Sequence, residues 1–144
     1  MSACVIDTSA VLAFLFQERG QQVASEWIDR GATISTANML EVIAVLVTKA
    51  VNDGTDVQDA YAMALRNVES LVLDVADLTA EDALQAGAWV TFQKSANLSA
   101  GDRCCLALGK RLSLPVVHAE QVWQPLSDDL GVELVLVREM QDQQ

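Results

Sequence analysis

The stretch Ala3-Cys-Val-Ile-Asp-Thr-Ser-Ala-Val-Leu12 decides the fold of this chain. Residues 3–6 form a short apolar run, and Asp7 interrupts it just before a segment whose apolar side chains recur at helical spacing. A short buried strand followed directly by a helix is typical of proteins built on a parallel sheet. We therefore place Asp7 at the end of the first strand.

The alternation of strand and helix continues along the chain. Further strands are predicted at residues 33–35, 71–75, 114–117 and 133–137. Helices are predicted at residues 9–17, 21–30, 37–52, 57–68, 79–94 and 99–112, the last two opened by stretches that resemble capping boxes. Residues 118–132 carry no regular pattern. This order predicts an α/β fold, a three-layer α/β/α sandwich with a central, mostly parallel sheet.

Length and composition set the class of protein. A chain of 144 residues with 51% apolar residues fits one domain, which we assign to residues 1–140, with residues 141–144 as a frayed tail. No apolar run reaches the roughly 18 residues of a membrane span. The amino terminus lacks the basic region of a signal peptide, so we interpret it as part of the fold. We expect a cytoplasmic protein with no membrane association.

Cysteine usage agrees with that location. The chain has three cysteines, Cys4, Cys104 and Cys105, and their spacing matches no zinc site. An odd count with two adjacent residues favours reduced, buried thiols in a reducing compartment.

The net charge limits the choice of partner. The formal charge is −11 and the isoelectric point is near 4.2. A broad phosphate-binding surface needs a basic footprint, so the charge argues against one while leaving room for a small local site. It also favours a basic protein partner.

Four acidic residues stand where an α/β sheet binds its ligands, beyond the carboxyl ends of the strands. Asp7 ends the first strand, Glu41 interrupts an apolar helix, Asp102 opens a helix, and Glu120 follows the strand at 114–117. Each also has an ordinary explanation. Asp7 can cap a helix, Glu41 can lie in water, Asp102 can pair with Ser99 in a capping box, and Glu120 can be a loop acid.

If the four carboxylates converge, their repulsion becomes large. Two unit charges about 4 Å apart repel by roughly 4 kcal/mol at an effective dielectric constant of 20. A divalent cation would relieve this repulsion. Carboxylate oxygens without thiolates or clustered imidazoles suit Mg²⁺ or Mn²⁺ better than Zn²⁺.

Four segments resemble the motifs of PIN domains, in their order and spacing. They are Val5-Ile-Asp-Thr-Ser-Ala10, Ser35-Thr-Ala-Asn-Met-Leu-Glu41, Leu98-Ser-Ala-Gly-Asp-Arg-Cys-Cys-Leu-Ala-Leu-Gly109 and Leu114-Pro-Val-Val-His-Ala-Glu-Gln-Val-Trp123. The third is very close to its form in VapC-type toxins, and residues 130–137 resemble the family's last strand. The resemblance spans nearly the whole chain.

The resemblance implies a parallel sheet between helices, with an acidic pocket that holds Mg²⁺ or Mn²⁺. It implies endoribonuclease activity on RNA, homodimerisation and inhibition by a cognate antitoxin. The family's central carboxylates correspond to Asp7, Glu41 and Asp102. Beside them lie Thr8 or Ser9, and Asn38, which shares a helix face with Glu41.

The fourth motif departs from the family pattern. His118-Ala119-Glu120 stands where the family usually has Thr-Ala-Asp. The longer arm of Glu120 leaves open whether it holds a second metal ion or binds the first through water. His118 is a general base, an RNA contact, a structural residue or a solvent-exposed one. Arg103 contacts phosphate or forms an ion pair.

These residues suggest a mechanism in which the cation polarises the scissile phosphate and activates water. Asp7 and Asp102 would be direct ligands, and Glu41 would bind the metal or orient the water.

Two alternatives compete with a nuclease. A phosphoacceptor receiver domain would want paired acids after the first strand and a lysine after a late one, but the chain has Asp7 alone and His118. A catalytically silent PIN-like module that only binds a protein partner fits the altered fourth motif and the charge. Phosphate-binding and dinucleotide glycine motifs are absent.

Overall fold

The computed structural model describes residues 2–92 and 97–138 and has five strands in one sheet. The strands are β1 (Cys4–Ile6), β2 (Ala32–Ser35), β3 (Asp74–Ala76), β4 (Val116–His118) and β5 (Leu134–Leu136). Their order is β3-β2-β1-β4-β5, and all four neighbouring pairs are parallel. The predicted α/β architecture is confirmed.

Seven α-helices cover the sheet within the described residues. They are α1 (Thr8–Leu15), α2 (Gln21–Arg30), α3 (Thr36–Asn52), α4 (Val57–Glu69), α5 (Ala80–Ala88), α6 (Ala100–Leu112) and α7 (Ser127–Leu130). Short 3₁₀ helices span Trp89–Thr91 and Gln121–Leu126. In residues 2–92 and 97–138, no helix has both the length and the apolar character needed to cross a membrane.

Successive side chains of β1 point to opposite faces of the sheet and so enter two different apolar layers. Cys4 and Ile6 point into an apolar cluster shared with α1 to α4, whereas Val5 points into a second cluster shared with α5 to α7. All three side chains are fully buried. The sheet is therefore apolar on both faces, and each face needs its own layer of helices.

Several predicted boundaries move in the structure. The strand predicted at 71–75 is observed at Asp74–Ala76, because the backbone N–H groups of Leu71 and Val72 instead bond carbonyl oxygens of the last turn of α4. The strands predicted at 114–117 and 133–137 are observed as Val116–His118 and Leu134–Leu136. The supposedly irregular residues 118–132 include a 3₁₀ helix and α7. The predicted end of the helix at residue 94 and the predicted tail at 141–144 lie outside the described residues.

One of the two predicted capping boxes forms in full. Ser99 and Asp102 exchange both bonds at the start of α6. At α5, Thr79 accepts a bond from the Asp82 N–H, but the Asp82 carboxylate turns instead to the guanidinium of Arg111, at 2.7 and 3.1 Å. The second box is therefore half formed, and its acid joins α5 to α6.

Helix α3 is apolar over most of its length, but only one of its faces is buried. Asn38, Val42 and Leu46 form its buried face, while Leu40 is 68% exposed and Val45 also lies open. The sheet and the neighbouring helices cover only one side of α3. Its other side presents apolar groups to the surroundings.

Candidate metal centre

The fold brings the predicted site residues to the carboxyl edge of the sheet. Asp7 directly follows β1, α3 begins where β2 ends, and Glu120 lies two residues beyond β4. Because the strands are parallel, these ends lie at one edge. Helix α6 adds Asp102 in its first turn.

Asp7 is the most buried acid of the group, with 1% of its surface exposed. It caps α1, because its Oδ2 accepts bonds from the Ser9 N–H at 2.9 Å and the Ser9 Oγ at 2.6 Å. Its Oδ1 is buried and has no hydrogen-bond partner among the described residues. The pKa of Asp7 is raised to about 7, mainly by burial. The hydrogen bonds from Ser9 lower this pKa, and the negative charges of Asp102 and Glu41 raise it.

Glu41 is held by the two residues that the sequence placed beside it. Its Oε1 accepts bonds from Thr8 Oγ1 and from Asn38 Nδ2, each at 2.9 Å. Asn38 is fully buried and also donates to the Gly101 carbonyl oxygen at 3.2 Å. These bonds join α1, α3 and α6. The Oδ1 of Asn38 is buried without a hydrogen-bond partner in the described part of the chain.

Gly101 makes room for Glu41, a role that the sequence analysis missed. A Cβ at this position would overlap the Glu41 carboxylate. Glycine costs about 1 kcal/mol relative to alanine inside a helix. The presence of Gly101 in the first turn of α6 could therefore have indicated a special role from the sequence alone.

Asp102 uses Oδ2 to accept the Ser99 N–H at 2.9 Å. Burial raises its pKa, the bonds from Ser99 oppose that change, and the negative charges of Glu41 and Glu120 raise the pKa further. Asp102 therefore lies within the electrostatic reach of both glutamates. Glu120 itself is exposed.

Cys105 is a second residue that the sequence analysis did not connect to the site. It is fully buried beside Asp7, and its pKa is raised well above the usual value by burial and then by the charge of Asp7. It follows Asp102 by three residues, so helical spacing could have placed both on one face.

His118 is enclosed by the protein. Its Nδ1 accepts the Glu120 N–H at 3.1 Å, so the proton lies on Nε2, which donates to Gln124 Oε1 at 2.7 Å. The ring stacks on Trp123, with 4.7 Å between ring centroids. Burial lowers the pKa of His118 to about 4. This neutral, buried ring supports the backbone at Glu120.

Arg103 donates to backbone carbonyl oxygens. Its Nη1 lies 3.0 Å from the Ala86 oxygen, and its Nε lies 3.4 Å from the Ser99 oxygen. These bonds link α6 to the end of α5, and they are neither the ion pair nor the phosphate contact considered from the sequence.

The chemistry of the site suits a hard divalent cation. The candidate ligands are carboxylate oxygens, and the bonds described above engage only Asp7 Oδ2, Glu41 Oε1 and Asp102 Oδ2. The unpaired Asp7 Oδ1 lies among like charges. However, in residues 2–92 and 97–138 no three His, Cys, Asp or Glu side chains are grouped closely enough to hold a metal ion. The chemistry of the donor set therefore fits Mg²⁺ or Mn²⁺, although its present spacing does not group three ligands within the described residues.

The fold is a parallel α/β sandwich with acids at the carboxyl edge of its central strands. Comparison with family models identifies the family that has this arrangement. The PIN-domain model matches residues 4–124. The chain belongs to the PIN-domain family. No curated protein sequence is significantly similar to it.

Solved structures with this fold include toxin–antitoxin proteins. A DNA-bound VapBC from Salmonella typhimurium has a TM-score of 0.66 and 15% identity, covering 95% of this chain and 99% of that one. A toxin–antitoxin complex from Klebsiella pneumoniae has a TM-score of 0.63 and 16% identity over the same shares. The Mycobacterium tuberculosis toxin VapC20, which cleaves the sarcin–ricin loop, has a TM-score of 0.58 and 18% identity, covering 78% of this chain and 86% of that one. At these identities the likeness concerns the fold.

Proposed function

We propose that this protein is a Mg²⁺- or Mn²⁺-dependent endoribonuclease and the toxin of a toxin–antitoxin pair. One observation carries the proposal. Asp7 is buried at the carboxyl edge of a PIN fold with an unpaired oxygen, and the charges of Asp102 and Glu41 act on it. Such an arrangement lowers the stability of the fold, and it is typical of functional sites. The similarity of the fold to VapC toxins supports the same function.

The metal would be held mainly by Asp7 and Asp102. Glu41 would either complete the site or orient the attacking water, and Glu120 would bind a second ion or reach the first through water. When bound, the cation would neutralise the carboxylates, polarise the scissile phosphate and lower the pKa of water.

The surrounding residues prepare the carboxylates for this task. Ser9 fixes one oxygen of Asp7, while Thr8 and Asn38 fix one oxygen of Glu41. Phosphoryl transfer depends chiefly on positioning and on charge stabilisation. Side chains held by such bonds lose little entropy when they bind metal and substrate.

We further propose two protein partners, a cognate antitoxin and a second copy of the chain. Exposed apolar side chains on α3 and α4 support a protein interface, namely Leu40, Val45, Val51, Val57 and Tyr61. The net charge of −11 favours an antitoxin with a basic segment. Several neighbours of this fold are themselves complexes of toxin with antitoxin.

We propose a cytoplasmic location and a single domain over residues 1–140. All three cysteines are free, and two of them are buried. Free thiols are usual in a reducing compartment.

The second candidate is a catalytically silent PIN module that binds only a protein partner. It is favoured by one observation, that no three carboxylates in the described residues are already grouped for a metal ion. The receiver domain loses its support because the PIN model covers most of the chain.

Cleavage of structured RNA by the purified protein tests the proposal. We expect discrete cuts with Mg²⁺ or Mn²⁺ and none with EDTA. Asp102→Asn should remove the cuts, whereas Asp128→Asn, which makes the same change at an exposed position on α7, should retain them. Full cleavage by a folded Asp102→Asn protein would refute the site, and a folded wild type that never cuts would favour the silent module.

A further inference from the structure

A cleft of about 520 Å³ lies beside the acidic edge and contains two arginines, although the chain as a whole is strongly negative. Its lining residues are Arg19, Ala119, Glu120, Gln121, Val122 and Arg138. A neighbouring cleft of about 460 Å³ shares both arginines. Two guanidinium groups therefore stand next to the site where a phosphodiester would be cut.

Short contacts connect this cleft to the carboxylates. The Ala119 N–H donates to Ser9 Oγ at 3.0 Å, and Ser9 Oγ donates to Asp7 Oδ2 at 2.6 Å. On the other side, the charge of Glu120 raises the pKa of Asp102. Only Ser9 therefore lies between the wall of the cleft at Ala119 and the carboxylate of Asp7.

The two arginines are carried by segments that pack against each other. Gly20 has a φ of +96°, and a Cβ there would lie 2.8 Å from Val137 Cγ2 and 3.0 Å from Arg138 Cγ. The turn after α1, which carries Arg19, therefore rests on the end of β5, which leads to Arg138. This contact keeps both cations at the carboxyl edge.

Arg138 forms only a long and partly exposed ion pair with Glu18. Its Nη2 lies 3.9 Å from Glu18 Oε2, beyond hydrogen-bond distance, and the two side chains are 28% and 46% exposed. Its Nε has no hydrogen-bond partner among the described residues. By contrast, several other cations are committed to their own contacts, namely Arg111 with Asp82, Lys49 with Asp53, Arg30 with Trp27 and Lys110 with Trp89.

We propose that Arg19 and Arg138 bind a backbone phosphate of the RNA next to the scissile one, so that this pair positions the substrate beside the carboxylates. The inference rests on the proposed ribonuclease function. Guanidinium groups bind phosphate through paired hydrogen bonds, and two of them suffice for a small local site. The Glu120 carboxylate in the same cleft keeps the bound phosphate on the arginine side. A local pair of cations explains how a chain of charge −11 holds RNA.

RNA binding without cleavage tests the inference. A fluorescent hairpin RNA is titrated with protein in EDTA at several salt concentrations. The control for Arg19→Gln/Arg138→Gln is Arg30→Gln/Arg66→Gln, which loses the same charge outside the cleft. We expect the first variant to bind about tenfold more weakly, with a slope of log affinity against log salt that is smaller by about 0.7, the value for one single-strand phosphate contact. The control should keep the wild-type slope.

Cleavage kinetics separate this inference from the function on which it rests. With Mn²⁺, the cleft variant should show a KM raised about tenfold and a kcat close to wild type, because its carboxylates are intact. Unchanged RNA affinity in the cleft variant, or an equal loss in the control, would overturn the phosphate site while leaving the nuclease in place. A wild type that neither binds nor cuts RNA would overturn both.

Discussion

At the scale of single residues, the charge of Asp7 bears on both the stability of the fold and the proposed function. The carboxylate is buried, one of its oxygens is unpaired within the described residues, and its pKa rises to about 7. Its ionised form is therefore unfavourable in the metal-free protein at neutral pH, and a divalent cation would remove that cost.

Replacing Asp7 by Asn should separate stability from activity. The variant cannot supply the carboxylate charge, so RNA cleavage should be lost. In EDTA at pH 8, its free energy of unfolding should rise by about 1–3 kcal/mol, because the buried charge is gone. Urea unfolding measures the change, and Asp128→Asn, at an exposed position, should have little effect. A destabilised Asp7→Asn protein would show that the buried charge is not a cost to the fold.

Gly101 offers a residue-scale test of how Glu41 is positioned. In Gly101→Ala the new methyl group would displace the Glu41 carboxylate, so we expect cleavage to fall at least about tenfold, as is usual when catalytic groups are misplaced. Gly87→Ala in α5 is the control, because nothing lies within 4 Å of its Cβ. It should gain up to about 1 kcal/mol of stability and keep full activity. Equal activity of the two variants would argue against a role for the position of Glu41.

The sequence singled out the candidate acids, whose role stays a prediction, but it missed some of the residues that contact the site. Asp7 and Glu120 follow strands, and ligands of parallel sheets bind at strand ends, so position alone singled them out. Gly101 and Gln124 act through contacts with Glu41 and His118 that only the folded chain brings about. The partners of a buried polar group cannot be derived from a pattern along one helix.

At the scale of secondary-structure elements, the pair Asp82–Arg111 fastens α5 to α6, the helix that carries Asp102. Asp82 has 2% of its side chain exposed and Arg111 has 27%. Removing one partner of such a pair leaves a charge without its counterpart.

We therefore expect Asp82→Asn to cost about 2 kcal/mol of stability, less than the roughly 3–5 kcal/mol of a fully buried pair because Arg111 can still reach water. Asp53→Asn breaks the exposed pair with Lys49 and should cost less than about 0.5 kcal/mol. Thermal unfolding of both variants measures the difference. Equal effects of the two substitutions would mean that the bridge between α5 and α6 contributes no more than a surface pair.

Element types followed from sequence periodicity, whereas element ends did not. Residues 71–72 have strand-like side chains, but their N–H groups complete the end of α4, so β3 begins at Asp74. The apolar pattern of α3 fits burial on several sides, and the chain alone leaves one of those sides open. An apolar sequence pattern predicts that a side chain is buried. It does not show whether the burial is within the same chain or against a partner.

At the scale of the whole molecule, two buried groups give the stability opposite dependences on pH. His118 has a folded pKa of about 4, below its unfolded value, so its contribution is full above pH 6.5 and is lost as the pH falls towards 4. Asp7 has a folded pKa of about 7, above its unfolded value, so its destabilising effect is full above pH 7 and is relieved as the pH falls.

Removing Asp7 should expose the dependence that comes from His118. Between pH 7.5 and 5 in EDTA, Asp7→Asn should lose about 2 kcal/mol more stability than the wild type, since only the wild type gains by protonating Asp7. Urea unfolding at the two pH values gives both numbers. Parallel pH profiles for the two proteins would mean that Asp7 titrates normally in the fold.

The layered architecture was the part of the molecule best predicted from sequence, because alternating strands and helices leave few arrangements that bury both faces of a sheet. The clusters around Cys4 and Val5 on opposite faces follow from the same alternation. The charge of −11 gave no indication that two arginines lie together beside Glu120, since a net charge does not reveal how charges are distributed. The assignment of residues 1–140 to one domain stays a prediction.

Calorimetric titration of the purified protein with Mn²⁺ at pH 7, in two buffers with different ionisation enthalpies, tests the central claim most directly. The account predicts binding that releases protons, because burial raises the pKa of Asp7 to about 7 and the carboxyl group must ionise to hold a cation. It also predicts that Asp7→Asn binds far more weakly and releases fewer protons. A folded wild type that takes up no Mn²⁺, or an Asp7→Asn protein that binds it equally well, would contradict the assignment of the acidic edge as a metal centre.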